Sequence, residues 1–115
     1  LVNNTRTQAE LSSKCQNSAI SITYAECSTT ECTVTVKRDQ GTDVIEGVLV
    51  TVKGAQGATD TATYTGDITI GTTQTLTIDD DAIATSATSV EAKMFLDNSG
   101  NNFYCNNIAT TENIL

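Results

Sequence analysis

Four cysteines, Cys15, Cys27, Cys32 and Cys105, are the residues of this chain best suited to chemistry. A cysteine can hold zinc, take part in a dithiol couple, attack as a nucleophile or close a disulfide. The spacing speaks against the first three. Zinc sites and redox dithiols favour C-x-x-C, which is absent, and a nucleophilic thiol normally works with a histidine, of which the chain has none. An even cysteine count in a small acidic chain reads instead as two disulfides made in an oxidising compartment. Three connectivities are possible. The expected one joins Cys27 to Cys32, closing the polar turn "CSTTEC", and Cys15 to Cys105, tying the first strand region to the last.

Carboxylates are the other candidates. Asp79, Asp80 and Asp81 form the densest acidic run, and carboxylate oxygens suit Ca²⁺, but the run lacks the alternation of ligands and the glycine of a calcium loop. It reads as a solvated loop, and no metal or cofactor is expected. The oxygen-rich stretch from Asp97 to Asn102 reads as a hairpin turn around Ser99-Gly100. Glu26, Glu31 and Glu46 sit beside strands as solvated surface residues. Asn3-Asn4-Thr5 is the one N-x-[ST] sequon, which makes Asn3 the candidate for an N-glycan. The chain has no phosphate cradle ahead of a helix and no histidine, so an enzyme is not expected.

The elements that position these residues follow from composition and periodicity. The 115 residues make one domain, with a net charge of −8 and a pI near 4.1. That balance argues against a nucleic-acid partner and against adhesion to anionic lipid, since both need clustered Lys and Arg. No apolar run is long enough to span a bilayer, so no direct membrane binding is expected of this segment. The chain opens at Leu1-Val2 with neither an initiator Met nor a signal peptide, and reads as a processed product. Threonine makes up nearly a fifth of the chain and there is no Trp, so the core must come from Val, Ile, Leu and Ala. β-Branched residues suit a pleated surface.

Residues 1–14 are polar helix formers without a clean apolar stripe, expected as a short helical tail or arm. From Ser18 onward the period becomes two. Ile20, Ile22 and Tyr24 share one phase, as do Cys32, Val34 and Val36, and Val48, Val50 and Val52. Ala62 and Tyr64, Ile68 and Ile70, Leu76 and Ile78, and Val90, Ala92, Met94 and Leu96 continue the alternation, with a last run through Phe103 and Cys105. Glycine- and Asp-rich turns fall between the runs. The expectation is an all-β, immunoglobulin-like antiparallel β-sandwich of about seven or eight strands over residues 15–115. Leu49 and Phe95 are apolar on the outward phase, which marks them as candidates for a contact with the N-terminal segment or with another subunit.

The stretch from Cys32 to Leu96, with "GVLVTVKG", "GTTQTLTID" and "SVEAKMFLD", resembles immunoglobulin-like domains of secreted prokaryotic surface proteins, including the cell-adhesion-related domain common in archaea. A polar helical tail, a Cys, "AISITYAEC" and a second Cys opening "TVTVKR" resemble the head domain of archaeal type IV pilins and archaellins. That likeness implies a filament whose core is helical and whose β-sandwich heads face outward, with residues 1–14 matching the end of the core helix. A subunit that instead completes its neighbour's sandwich is the other way to build such a polymer. Residues 1–14 lack the alternating large apolar residues of a donor strand. The implied function is a structural subunit of an extracellular filament, with copies of itself as partners. The other reading is a secreted adhesion module that recognises a glycan or a cell-surface protein.

Overall fold

The computed structural model describes residues 2–115, with side chains from Ala9 onward. Helix α1 (Val2–Gln16) leads into strands β1 (Ala19–Cys27), β2 (Cys32–Gln40), β3 (Gly47–Lys53), β4 (Thr59–Thr65) and β5 (Thr73–Ile78). A short helix α2 (Asp81–Ser86) precedes β6 (Ser89–Asn98), β7 (Asn101–Tyr104) and β8 (Ala109–Thr111). The chain is mostly β and forms two antiparallel sheets, one in the order β1-β2-β5 and one in the order β4-β3-β6-β7 with β8 also on β6.

One apolar core joins the sheets. Val34 and Val36 of β2 and Leu76 and Ile78 of β5 come from one sheet; Val48, Val50 and Val52 of β3 and Val90, Ala92 and Met94 of β6 come from the other. Burial alternates along β2 and β3 as the period of two requires. The ends of the core are plugged from outside the strands. Ile45 and Ile68 close one end from loops, and Ile83 and Ala84 of α2 are buried as well.

Three expectations change at this level. The first concerns β1. Its pairing slips between Ile22, opposite Val36, and Tyr24, opposite Thr35, so Thr23 is an extra residue. Such a bulge reverses the phase of everything after it. Tyr24 therefore turns outward, 40% exposed, and Ala25 takes the core position. The second is the stretch around Ile68 and Ile70, which is not a strand. Residues 66–72 cross from β4 in one sheet to β5 in the other, with Ile68 buried and Ile70 exposed. The third is Phe95. It does lie on the outward phase of β6, yet it is only 2% exposed, so it is not a free surface residue. Gly47 pairs directly with it, and a Cβ there would run into the Tyr64 carbonyl and stand 2.6 Å from the Phe95 ring. Phe95 thus covers a bare glycine on one side and packs against the Tyr104 ring, 5.4 Å away, on the other. Leu49 is half-buried on the same outer face, between Thr63 and Lys93 in register.

α1 continues through Gln16, so the boundary expected between residues 14 and 15 falls within its last turn. Among the described side chains of α1 only Leu11 and Cys15 are buried, one turn apart on one face. At the other end of the chain, Leu115 docks on the rim of β1. Its N–H donates to Ala25 O at 2.8 Å, and Cys27 N–H donates to Leu115 O at 3.0 Å.

Candidate functional site

The disulfides are Cys15–Cys105 and Cys27–Cys32, the pairing expected from the sequence. Each holds a different end of the molecule. Cys27 and Cys32 face each other across the β1–β2 hairpin. Their turn is closed by Ser28 N–H to Glu31 O at 2.8 Å, while the Ser28 hydroxyl oxygen accepts from the N–H groups of Thr30 and Glu31. A polar turn with these groups paired needs no ligand to explain it.

Cys15–Cys105 builds a more open arrangement. Cys105 N–H donates to Met94 O at 2.9 Å, which carries the β6–β7 ladder one residue further. The chain then leaves β6 over residues 106–108 and returns to it as β8. This excursion brings Asn107 beneath the end of α1, where its amide donates to Cys15 O at 3.1 Å and to Ser18 O at 2.8 Å. The last carbonyls of a helix have no partner within it, and Asn107 supplies one to Cys15 from 92 residues away in sequence. Between the helix and β7 lies a cleft of about 550 Å³. Ser12, Cys15 and Gln16 form one wall; Phe103, Tyr104, Asn106 and Asn107 form the other. Tyr104 is 40% exposed, and its ring is held by Phe95 and by the Lys93 ammonium 4.9 Å from its centre. None of the described lining residues carries a charge, in a chain whose net charge is −8.

The carboxylates lie elsewhere. Asp79, Asp80 and Asp81 are not a plain loop. Asp80 caps α2, its carboxylate accepting from Ile83 N–H at 3.1 Å, and Asp81 opens the first turn. Asp79 meets Glu31 of the β1–β2 hairpin, and that side-chain hydrogen bond, helped by slight desolvation and the Asp79 charge, holds the Glu31 carboxyl above its ordinary range. Tyr24, Glu26, Ser28, Glu31 and Thr33 line a small hollow of about 180 Å³ beside it, where the Tyr24 hydroxyl donates to Glu26. Among the described residues no three His, Cys, Asp or Glu side chains stand together as a metal site. No helix among them is long and apolar enough to cross a membrane. Asp97 to Asn102 form the β6–β7 hairpin, with Ser99 and Gly100 at φ 53° and 90° and Gly100 N–H bonded to the Asp97 carboxylate at 2.9 Å. Asn3 belongs to α1, but its side chain lies outside the described residues.

Two side chains that organise this end of the fold had no role in the sequence reading. Arg38 is 1% exposed and binds the junction of α1 with β1 to two loops. Its place was readable, since it continues the inward phase of Cys32, Val34 and Val36. Asn107 had no such signal, because an Asn following Cys-Asn reads equally as a turn. Comparison with protein family models, with curated proteins and with solved structures finds no match for this chain.

Proposed function

We propose that this chain is a structural subunit of an extracellular, pilus-like filament, in which β-sandwich heads surround a core reached through α1, with copies of the same chain as the partners. The observation that carries the reading is the root of α1. The helix stands on the sandwich with only Leu11 and Cys15 buried among its described side chains, yet it is bonded covalently to the last strand region. A helix that hides so little of itself but is fixed so firmly suits a stalk whose remaining surface meets other subunits. Val44 and Ile70 stand exposed on the loops at this same end and offer further apolar contact. The two disulfides fit an oxidising environment, in line with a place at the cell surface.

The strand order supports an immunoglobulin-like head. Lettering β1, β2, β3, β4, β5, β6 and the β7–β8 pair as A, B, C, C′, E, F and G, the sheets read A-B-E and C′-C-F-G. This keeps the B-E and C-F-G pairings of immunoglobulin domains and sets the fourth strand beside C.

Electron cryo-microscopy of the native cell-surface material tests the reading. Helical polymers whose map follows this chain, with α1 directed inward, are expected. Monomers or flexible multidomain strings in that material overturn it. Val44→Asp, Ile70→Asp and Leu49→Asp probe the contacts in solution, and at least one is expected to weaken assembly while leaving a folded monomer. Phe95 is excluded from that set, because a charge at its buried position unfolds the head before it reports on assembly.

A further inference from the structure

We propose that the cleft between α1 and β7 is a binding site for a neutral carbohydrate of one or two rings. Its volume of about 550 Å³ lies within the range of small-molecule sites. The chemistry of its walls narrows the class. Ser12 contributes a hydroxyl, and Gln16 and Asn106 contribute amides. Each of these groups both donates and accepts, which is what a sugar hydroxyl asks of its partner. The exposed ring of Tyr104 supplies an apolar surface for the C–H side of a pyranose.

Other ligand classes fit less well. Among the described lining residues there is no Arg or Lys, and the nearby Lys93 ammonium is engaged on the Tyr104 ring, so a phosphate or carboxylate would meet no countercharge from those walls in a strongly acidic protein. A purely apolar ligand would cover the amides without pairing them. A cationic ligand would find no carboxylate among the described lining residues.

The walls are also fixed before any ligand arrives. The Cys15–Cys105 bond joins them, Asn107 ties both Cys15 and Ser18 to the far side, and Phe95 and Lys93 hold Tyr104. Binding therefore orders little protein, which lowers the entropic cost of holding a small ligand. Because Asn107 spends its two amide protons on the chain itself, it acts as a positioning residue, while Gln16 and Asn106 are assigned to the sugar.

The test is an NMR titration of the oxidised chain with glucose, galactose, mannose, N-acetylglucosamine and their disaccharides, followed on backbone and side-chain amides. Saturable shifts are expected for at least one of them at Ser12, Gln16, Tyr104 and Asn106. Gln16→Ala and Asn106→Ala are each expected to weaken that binding about tenfold, the worth of one good hydrogen bond, with the rest of the spectrum unchanged. Both side chains are exposed, so these variants read binding and not folding. Methyl glycosides distinguish the source of the sugar. Equal binding of the glycoside assigns the site to the end of a larger glycan, whereas loss of binding assigns it to a free reducing sugar. Lack of saturable shifts with all the sugars, shifts insensitive to both variants, or glucuronate bound as tightly as glucose overturns the proposal.

Discussion

Replacing Arg38 with methionine tests how the loops at the α1 end are held. The guanidinium is 1% exposed, and its five N–H protons match five acceptors. Nε donates to Gln40 O at 3.2 Å, Nη1 to Ile68 O at 2.9 Å and to the Asp67 carboxylate at 3.4 Å, and Nη2 to the Ser18 hydroxyl at 3.0 Å and to Asp43 O at 2.7 Å. Methionine fills similar space and offers no proton. The Ile68 carbonyl bond is fully buried, and leaving a buried acceptor unpaired costs about 1–3 kcal/mol. The bonds to Gln40 and Asp43 are partly buried, so water replaces some of what is lost there. Asp67 is 34% exposed and still accepts from Ile45 N–H at 2.9 Å, so its charge rehydrates at small cost. The sum is a loss of about 3–4 kcal/mol, a large share of the ~5–15 kcal/mol that holds a typical domain. Urea unfolding of the oxidised chain, followed by far-UV circular dichroism, measures it as a lower midpoint at constant slope. Arg38→Lys keeps the charge but reaches fewer acceptors from one nitrogen, and is expected to recover only about half of the loss. A loss below about 1 kcal/mol for Arg38→Met would refute the reasoning, because it would mean that the loops re-pair their carbonyls without the guanidinium.

The two disulfides are expected to differ in worth. The chain-entropy relation gives about 4.6 kcal/mol for the bridge spanning 90 residues and about 2 kcal/mol for the one spanning 5, so Cys15→Ala with Cys105→Ala should lower the urea midpoint more than Cys27→Ala with Cys32→Ala. Equal losses would place the effect in local packing instead. Glu31 gives a pH signature. Its pKa is raised in the fold, so the favourable contribution of the Glu31–Asp79 pair is present below the ordinary carboxylate pKa and is lost as pH rises through the folded value. Glu31→Gln should therefore raise the melting temperature at about pH 7 and leave it unchanged at about pH 3, and an unchanged melt at both would show the two carboxyls parting in solution.

What the sequence disclosed was the inward face of strands that stay in register. Val34 and Val36, Val48 through Val52, and Val90 through Met94 obey the period of two because each pairs without interruption along the core. The Ser99-Gly100 turn was readable because few residue pairs take positive φ twice in succession. The errors arose where one residue changes the geometry of many. The slip at Thr23 leaves no mark in residue type, yet it reverses Tyr24 and Ala25. Phe95 read as exposed because periodicity reports the face a side chain points to, not what crosses that face; its ring lies over Gly47 of the neighbouring strand β3 and under Tyr104 of β7. The cleft was beyond reach for a related reason. Its walls come from residues 12–16 and 103–107, brought together by a disulfide whose pairing the sequence suggested and whose surroundings it did not describe.

The distribution of charge along the molecule bears on how copies could stand together. β1 runs about 30 Å from the root of α1 to the Cys27–Cys32 turn, at about 3.3 Å for each of its nine residues. At the far end Glu31 stands beside Asp79, which with Asp80 and Asp81 forms the densest acidic run of the sequence. At the near end the cleft is neutral, and Arg38 sits buried among the loops with Val44 and Ile70 exposed around it. In a filament built on α1, the near ends crowd together and the far ends spread apart. Repulsion between acidic tips falls with separation and is screened within about 10 Å at 0.1 M salt, so this arrangement places like charges where they oppose assembly least. The same geometry puts the cleft at the foot of each head, next to its neighbours. A sugar bound there would sit at the boundary between head and core, and its effect on assembly would separate a site used by the free subunit from one used by the polymer.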